Sequence, residues 1–233
     1  MRQIAFADLD LNQQTAALNL VYRDYQMPFQ VSKEWVSEHL QAHSIDTRRS
    51  PLWLDGRGQV AALALLALRD QRAWIGGFGV APSYRGNRFS GPVLNETLKA
   101  LQIPVQLEVL LANVKARATY ERGGFQVVRQ LVVLEGPPGR AGDLLEAAGP
   151  PCWQRQPASL EKLEGLNWVG PFLAYRGNQI HFVGPGARWG DLSQQPRLRL
   201  SNEEADSPLH RQLVHLGWQE VARQYEMLRP ARN

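Results

Sequence analysis

The chain has 233 residues, 44% of them apolar and 21% charged, enough for one large domain or an ordinary domain plus a fragment. Its single cysteine, Cys152, excludes a disulfide framework and a multi-cysteine metal site, and no apolar run nears the ~20 residues that span a bilayer. The formal charge of +4 comes from scattered arginines rather than a basic run, so it suits an anionic ligand and gives no support to nucleic-acid binding.

The polar N-terminus lacks the apolar core of a signal peptide, so a cytoplasmic protein without a membrane partner is expected. Residues 2–7 alternate as a short strand. A helix is expected from Asn12 to Tyr22, followed by a loop, Asp24 to Gln30, that carries Tyr25, Pro28 and Phe29. Ser32 is placed to cap a second helix whose buried stripe would be Trp35, Val36, His39 and Leu40. Pro51–Leu54 and Val60–Leu68 read as strands around an Asp55-Gly56-Arg57-Gly58 turn, and Ala73–Val80 as a third. After it comes a loop, Arg85-Gly86-Asn87-Arg88-Phe89-Ser90, and then a helix with Val93, Leu94, Leu98 and Leu101 on its buried face. Pro92 sits in the first turn of that helix, where a missing N–H costs little. Leu107-Glu108-Val109 lies on the next strand, Asn113 caps the helix after it, and Tyr120 stands two turns along, before Gly124-Phe125. This alternation predicts an α/β protein with a mixed sheet.

Residues 137–160 are rich in Pro, Gly and Ala and read as a linker. Beyond them the pattern echoes what came before. Residues 171–183 resemble 51–63, a hairpin around an Arg-Gly turn. Residues 200–228 repeat the order of strand, Asn, helix, Gly-aromatic-Gln and final strand. The expected organisation is a domain over 1–136 and a smaller, partial repeat over 161–233 that lacks the Arg-Gly loop and its helix.

A strand, a loop of Gly, Arg and small residues, and a helix starting directly after it together offer main-chain N–H groups and positive charge to a phosphate. No Gly-x-x-x-x-Gly-Lys is present, Gly77-Phe78-Gly79 does not continue as a dinucleotide fingerprint, and the five histidines are dispersed. No metal is expected.

The order of strand, Arg-Gly loop, helix, Leu107-Glu108-Val109, Asn113, Ala116, Tyr120 and Gly124-Phe125 resembles the GNAT superfamily of acetyl-CoA-dependent acyltransferases. The resemblance departs at Arg88, where the family has glycine, and at Ser90, where it has glycine or alanine. It implies a GNAT fold and acetyl-CoA as co-substrate, with the pyrophosphate on Arg85, Gly86, Asn87, Arg88, Phe89 and Ser90. Pantetheine would pair with Phe78, Gly79 and Val80 and pack near Asn113 and Tyr120. By the same resemblance Tyr120 is the candidate general acid and Glu108 the candidate base. A Phe78 or Val80 amide would hold the thioester oxygen. Tyr25 and Phe29 are the candidates for binding the acceptor, an amine on a small molecule or peptide N-terminus. The expected activity is N-acetylation by direct attack in a ternary complex. A CoA-binding regulator without turnover and a tandem-fold interaction module remain open, as does a dimer contact for the C-terminal fragment.

Overall fold

A computed structural model describes residues 1–26, 29–86 and 88–231. They form two compact units, Met1–Val128 with Glu226–Asn233, and Arg129–Tyr225.

The first unit opens with β1 (Arg2–Ala5) and α1 (Leu11–Val21). The Asp10 carboxylate accepts from the Gln13 N–H and the Gln13 side chain accepts from the Asp10 N–H. This capping box satisfies two amides that a helix start otherwise leaves unpaired. Ser32 caps α2 (Lys33–Ala42) as expected. The α2 stripe differs from the expectation: Val36 is buried, but Trp35 is 41% exposed and stacks on His39 with its ring centroid 4.5 Å away. A flat ring resting on its neighbour one turn along stays at the surface rather than entering the core.

Strands β2 (Pro51–Leu54), β3 (Val60–Arg69) and β4 (Arg72–Val80) form an antiparallel meander. Then come α3 (Ser90–Lys99), β5 (Val105–Leu110), α4 (Val114–Arg122) and β6 (Gln126–Gly136). The sheet order is β1-β2-β3-β4-β5, with the end of the chain's last strand, from Glu226, beside β5. The core under α1 and α2 gathers Phe6, Leu18, Val21, Leu52, Leu63 and Leu65. The apolar run of β3 is buried along most of its length because side chains pack on both of its faces.

Two features of β4 position the site. Its register with β3 slips between Leu65 and Leu66, leaving Gly76 as the extra residue of a bulge. Its parallel ladder with β5 runs from Ala73–Val105 to Ile75–Leu107 and goes no further among the described residues. Beyond that point, β4 and β5 part. Gly79 then lets α1 settle onto β4, since a Cβ there would meet the Val21 side chain at 2.6 Å.

The second unit starts in β6 and continues through α5 (Pro157–Leu160), β7 (Asn167–Val169), β8 (Leu173–Arg176), β9 (Gln179–Val183), β10 (Leu198–Glu204), α6 (Pro208–His215) and β11 (Gln219–Arg229). Its strand order is β11-β6-β10-β9-β8-β7. The division falls inside β6 rather than at 136, and residues 137–160 bury Leu145, Cys152, Trp153 and Leu160. The β8–β9 hairpin is antiparallel and β9 pairs parallel with β10, the same order of pairing as β3, β4 and β5.

Candidate active site

Where β4 leaves β5, three tyrosines gather. Tyr120 on α4 is buried, its ring edge-on to Phe78 and Phe125 at 5.9 Å each. Tyr22, at the end of α1, accepts a hydrogen bond from the Phe78 N–H at 2.9 Å. Tyr25 lies edge-on to Tyr22 at 5.5 Å and hydrogen-bonds the Asn113 side chain. Asn113 also does the capping task expected of it, accepting from the Ala116 N–H at 3.2 Å. Burial is the largest cause that pushes all three phenols above their ordinary pKa; for Tyr120 the neighbouring Tyr22 and Tyr25 add to it. A phenol so held keeps its proton until a stronger base is created beside it.

The loop after β4 presents exposed Gly86 (φ +84°) and Arg88 (φ +55°) ahead of α3. A Cβ on Gly86 or Gly91 would meet nothing within 4 Å, so space is open over the main chain where an anion would approach the first amides of α3. Pro92 removes one of those donors. These residues fit a pyrophosphate held mainly by main-chain amides, with the exposed Arg88 guanidinium available to it. The Arg85 side chain already has partners. Its Nε donates to the Val80 carbonyl at 3.0 Å, and its Nη2 to the Val21 and Arg23 carbonyls at 3.0 and 2.8 Å. Its guanidinium therefore ties the loop to the end of α1. Phe89 and Ser90 are half-buried at the helix start, and Ser90 Oγ lies 3.4 Å from Thr119 Oγ1. Asn87, and Pro28 of the acceptor loop, lie outside the described residues.

Glu108 sits on β5 just past the last paired residue. Its Oε2 accepts from Trp74 Nε1 at 2.7 Å and its Oε1 from Gln106 Nε2 at 3.1 Å. The same Gln106 amide donates to Glu226 Oε1 at 2.5 Å. The carboxylate expected to act as a base is thus fixed in direction by an indole and an amide. Trp74 is flanked in turn by His43 and His39, at 5.6 and 6.3 Å between ring centroids. Burial draws the His39 pKa down to about 4, against a hydrogen bond with the Gly76 backbone.

Tyr25 and Phe29 border a cleft of about 370 Å³ that Tyr22, Arg23 and Asp24 also line. The structure therefore brings together Phe78, Gly79, Val80, Asn113, Tyr120, Tyr25 and Phe29, with Glu108 one step along β5. Two of these backbone groups already have partners. The Phe78 amide is already spent on Tyr22, and the Val80 carbonyl already accepts from Arg85. Sequence reasoning passed over Tyr22, Gln106 and Glu226. Only Tyr22 had a usable signal, a polar tip at the end of a helix immediately before the loop assigned to the acceptor. Among the described residues no group of three His, Cys, Asp or Glu could hold a metal, and no helix is long and apolar enough to cross a membrane.

No curated protein matches the sequence. The model of the acetyltransferase (GNAT) family matches residues 15–125, the span from α1 to Phe125 that holds every group above except Glu226. The chain carries a GNAT acetyltransferase domain. Solved structures share the fold over its full length. A GCN5-related N-acetyltransferase from Sphaerobacter thermophilus aligns with 100% of this chain and 97% of its own, at 15% identity and a TM-score of 0.65. A proposed acetyltransferase from Pyrococcus horikoshii aligns with 99% of this chain and 89% of its own, at 14% identity and a TM-score of 0.67. A third, from Thermoplasma acidophilum, aligns at 14% identity over 99% of this chain and 100% of its own, with a TM-score of 0.58. At such identities the likeness is one of fold, so the residues of the GNAT domain carry the functional argument.

Proposed function

We propose that this protein is an acetyl-CoA-dependent N-acetyltransferase that moves the acetyl group directly to a primary amine, on a small molecule or a peptide N-terminus. The observation that carries this reading is the Tyr120 phenol, buried and held protonated where β4 and β5 separate, at the family's spacing from Glu108 and Asn113. The loop before α3 would take the pyrophosphate and the separated strands the pantetheine arm. The amine, arriving over Tyr25 and Phe29, attacks the thioester carbon. Tyr120 gives its proton to the departing thiolate, and Glu108 takes the proton that the attacking nitrogen sheds, directly or through water. Fixing both reactants in one cleft supplies much of the acceleration.

The second unit is read as a degenerate repeat of the same fold. Its matching order of strand pairing supports this, and so does the turn after its helix. Phe125 N–H bonds to Tyr120 O after Gly124 (φ +89°), and Trp218 N–H bonds to Leu213 O after Gly217 (φ +86°), each at 3.0 Å. Only the first copy has the phosphate loop, so one site per chain is proposed.

A second reading, a CoA-binding regulator without turnover, is favoured by the prior engagement of the Phe78 N–H and of both Glu108 oxygens. Calorimetry with acetyl-CoA and thiol release across a panel of primary amines separate the two. Binding with thiol release supports the enzyme, binding alone the regulator, and no binding at millimolar ligand removes both.

A further inference from the structure

In an acyl transfer the carbonyl oxygen gains negative charge and needs a fixed donor. On β4 the natural donor would be the Phe78 N–H, but it already points at the Tyr22 hydroxyl, 2.9 Å away. A phenolic oxygen that accepts one bond still has its own O–H to give. Among the described residues, the Tyr22 hydroxyl donates to no acceptor. The ring is held on two sides, edge-on by Tyr25 and tilted against Phe29 at 4.5 Å. Its oxygen lies 3.4 Å from where a Gly77 Cβ would stand, so glycine there leaves it room against β4. Phe78 joins the two phenols at the strand divergence: its N–H meets the Tyr22 hydroxyl and its ring lies edge-on to Tyr120 at 5.9 Å. Accepting from an amide polarises the phenol and strengthens the bond that it donates in turn.

We propose that Tyr22 is a catalytic residue of acetyl transfer: its O–H, backed by the Phe78 amide, holds the thioester carbonyl oxygen as charge develops there. The inference rests on the N-acetyltransferase reading above. The nitrogen lone pair forms the new C–N bond while the carbonyl π pair moves to oxygen, which Tyr22 binds without giving up its proton. When that pair returns, the C–S bond breaks, the sulfur takes the Tyr120 proton, and the nitrogen's proton leaves to Glu108. Amine and acetyl thioester become amide and free thiol, with no further reactant.

The full-length protein, Tyr22→Phe and a form with 3-fluorotyrosine at position 22 are compared. Steady-state thiol release is measured, with calorimetry of acetyl-CoA against CoA. Tyr22→Phe is expected to lower kcat about 10²-fold while KM for acetyl-CoA stays within a few-fold, as for loss of one oxyanion donor. Its preference for acetyl-CoA over CoA should shrink, since CoA has no carbonyl. The fluorinated phenol, a stronger donor that keeps the ring, should move kcat without moving KM, and it serves if Tyr22→Phe fails to fold. An unchanged or raised kcat in Tyr22→Phe, or an unmoved kcat in the fluorinated form, overturns the role of Tyr22 alone. A wild-type protein that binds acetyl-CoA but never turns over sinks the enzyme reading instead. The acetyl-CoA/CoA preference then decides whether Tyr22 touches the carbonyl, and an unchanged preference overturns it.

Discussion

Tyr120 and Leu213 hold the same station in two corners of similar build. Each lies near the end of a helix, five residues before an aromatic whose N–H it binds with its carbonyl, and a glycine in the left-handed region stands between them. Each is buried. The corner itself, then, is scaffolding. It specifies a helix end and a strand start, and it accepts a phenol or an isobutyl group in its inward position. What differs is the company that position keeps: Tyr120 packs edge-on to Phe78 beyond the last β4–β5 pair, whereas Leu213 lies in an apolar cluster with Trp218. The charged groups differ in the same sense. Glu203, fully buried in the second unit, accepts from Arg155 Nη1 (2.5 Å), the Gly149 N–H (2.6 Å) and the Ser207 hydroxyl (2.8 Å), which ties a loop, a strand and a helix start together. Glu108 is half-buried and reaches the strand divergence.

The contrast breaks most visibly at Tyr120. Tyr120→Phe should cut amine-dependent thiol release by about 10²–10⁴-fold, as for loss of a general acid, with acetyl-CoA affinity retained by calorimetry. Unchanged turnover would remove Tyr120 as the acid. Glu203→Ala comes next: it strands the Arg155 guanidinium in the core and should cost about 3–5 kcal/mol in denaturant unfolding. A loss below ~1 kcal/mol would mean that water reaches the guanidinium. Leu213→Ala should cost about 2–5 kcal/mol by leaving a cavity under Trp218, while kcat on a fixed amine is unaltered. If kcat fell with Leu213, the corner would be more than scaffolding.

The smallest effect is one of pH. The His39 pKa of about 4 lies below the ~6.5 of an unfolded histidine, so the unfolded chain takes up the proton first. Stability from the neutral ring is fully present above about pH 6.5 and is lost as pH falls toward 4. Because the side chain is only half-buried, about 2 kcal/mol is a fair ceiling for the change. Urea midpoints compared at pH 7 and pH 4.5 should differ more in wild type than in His39→Phe. Equal differences in both proteins would show that the stacked ring takes its proton without cost.

Much of this was readable in the sequence, and the reasons can be traced. Ser32 announces α2 because a cap needs only its own few residues. The apolar run of β3 and the Glu108–Asn113–Tyr120 spacing are equally local. What was hidden depends on pairs far apart in the chain. The Phe78 amide meets Tyr22 across 56 positions of chain, and Gln106 meets Glu226 across 120. No window along the chain contains both partners. The carbonyl partners of Arg85 were hidden for a related reason: an arginine in a Gly-rich loop suits a phosphate as well as it suits carbonyls, and the carbonyls it meets lie at the end of α1. Trp35 misled through periodicity, which places a residue on a face but does not say whether its ring goes inward or lies flat.

The last strand has a consequence in time rather than in space. The first unit includes Glu226 to the end of the chain, and β5 has those residues as its neighbour. During synthesis, at roughly 5–20 residues per second, the loop before α3 and all three tyrosines emerge several seconds before that neighbour is made. Until then β5 is an open edge, the kind of surface on which other chains add strands. A chain that stops short of Glu226 thus carries Tyr22, Tyr25, Tyr120 and Glu108 but lacks the strand that lies beside β5.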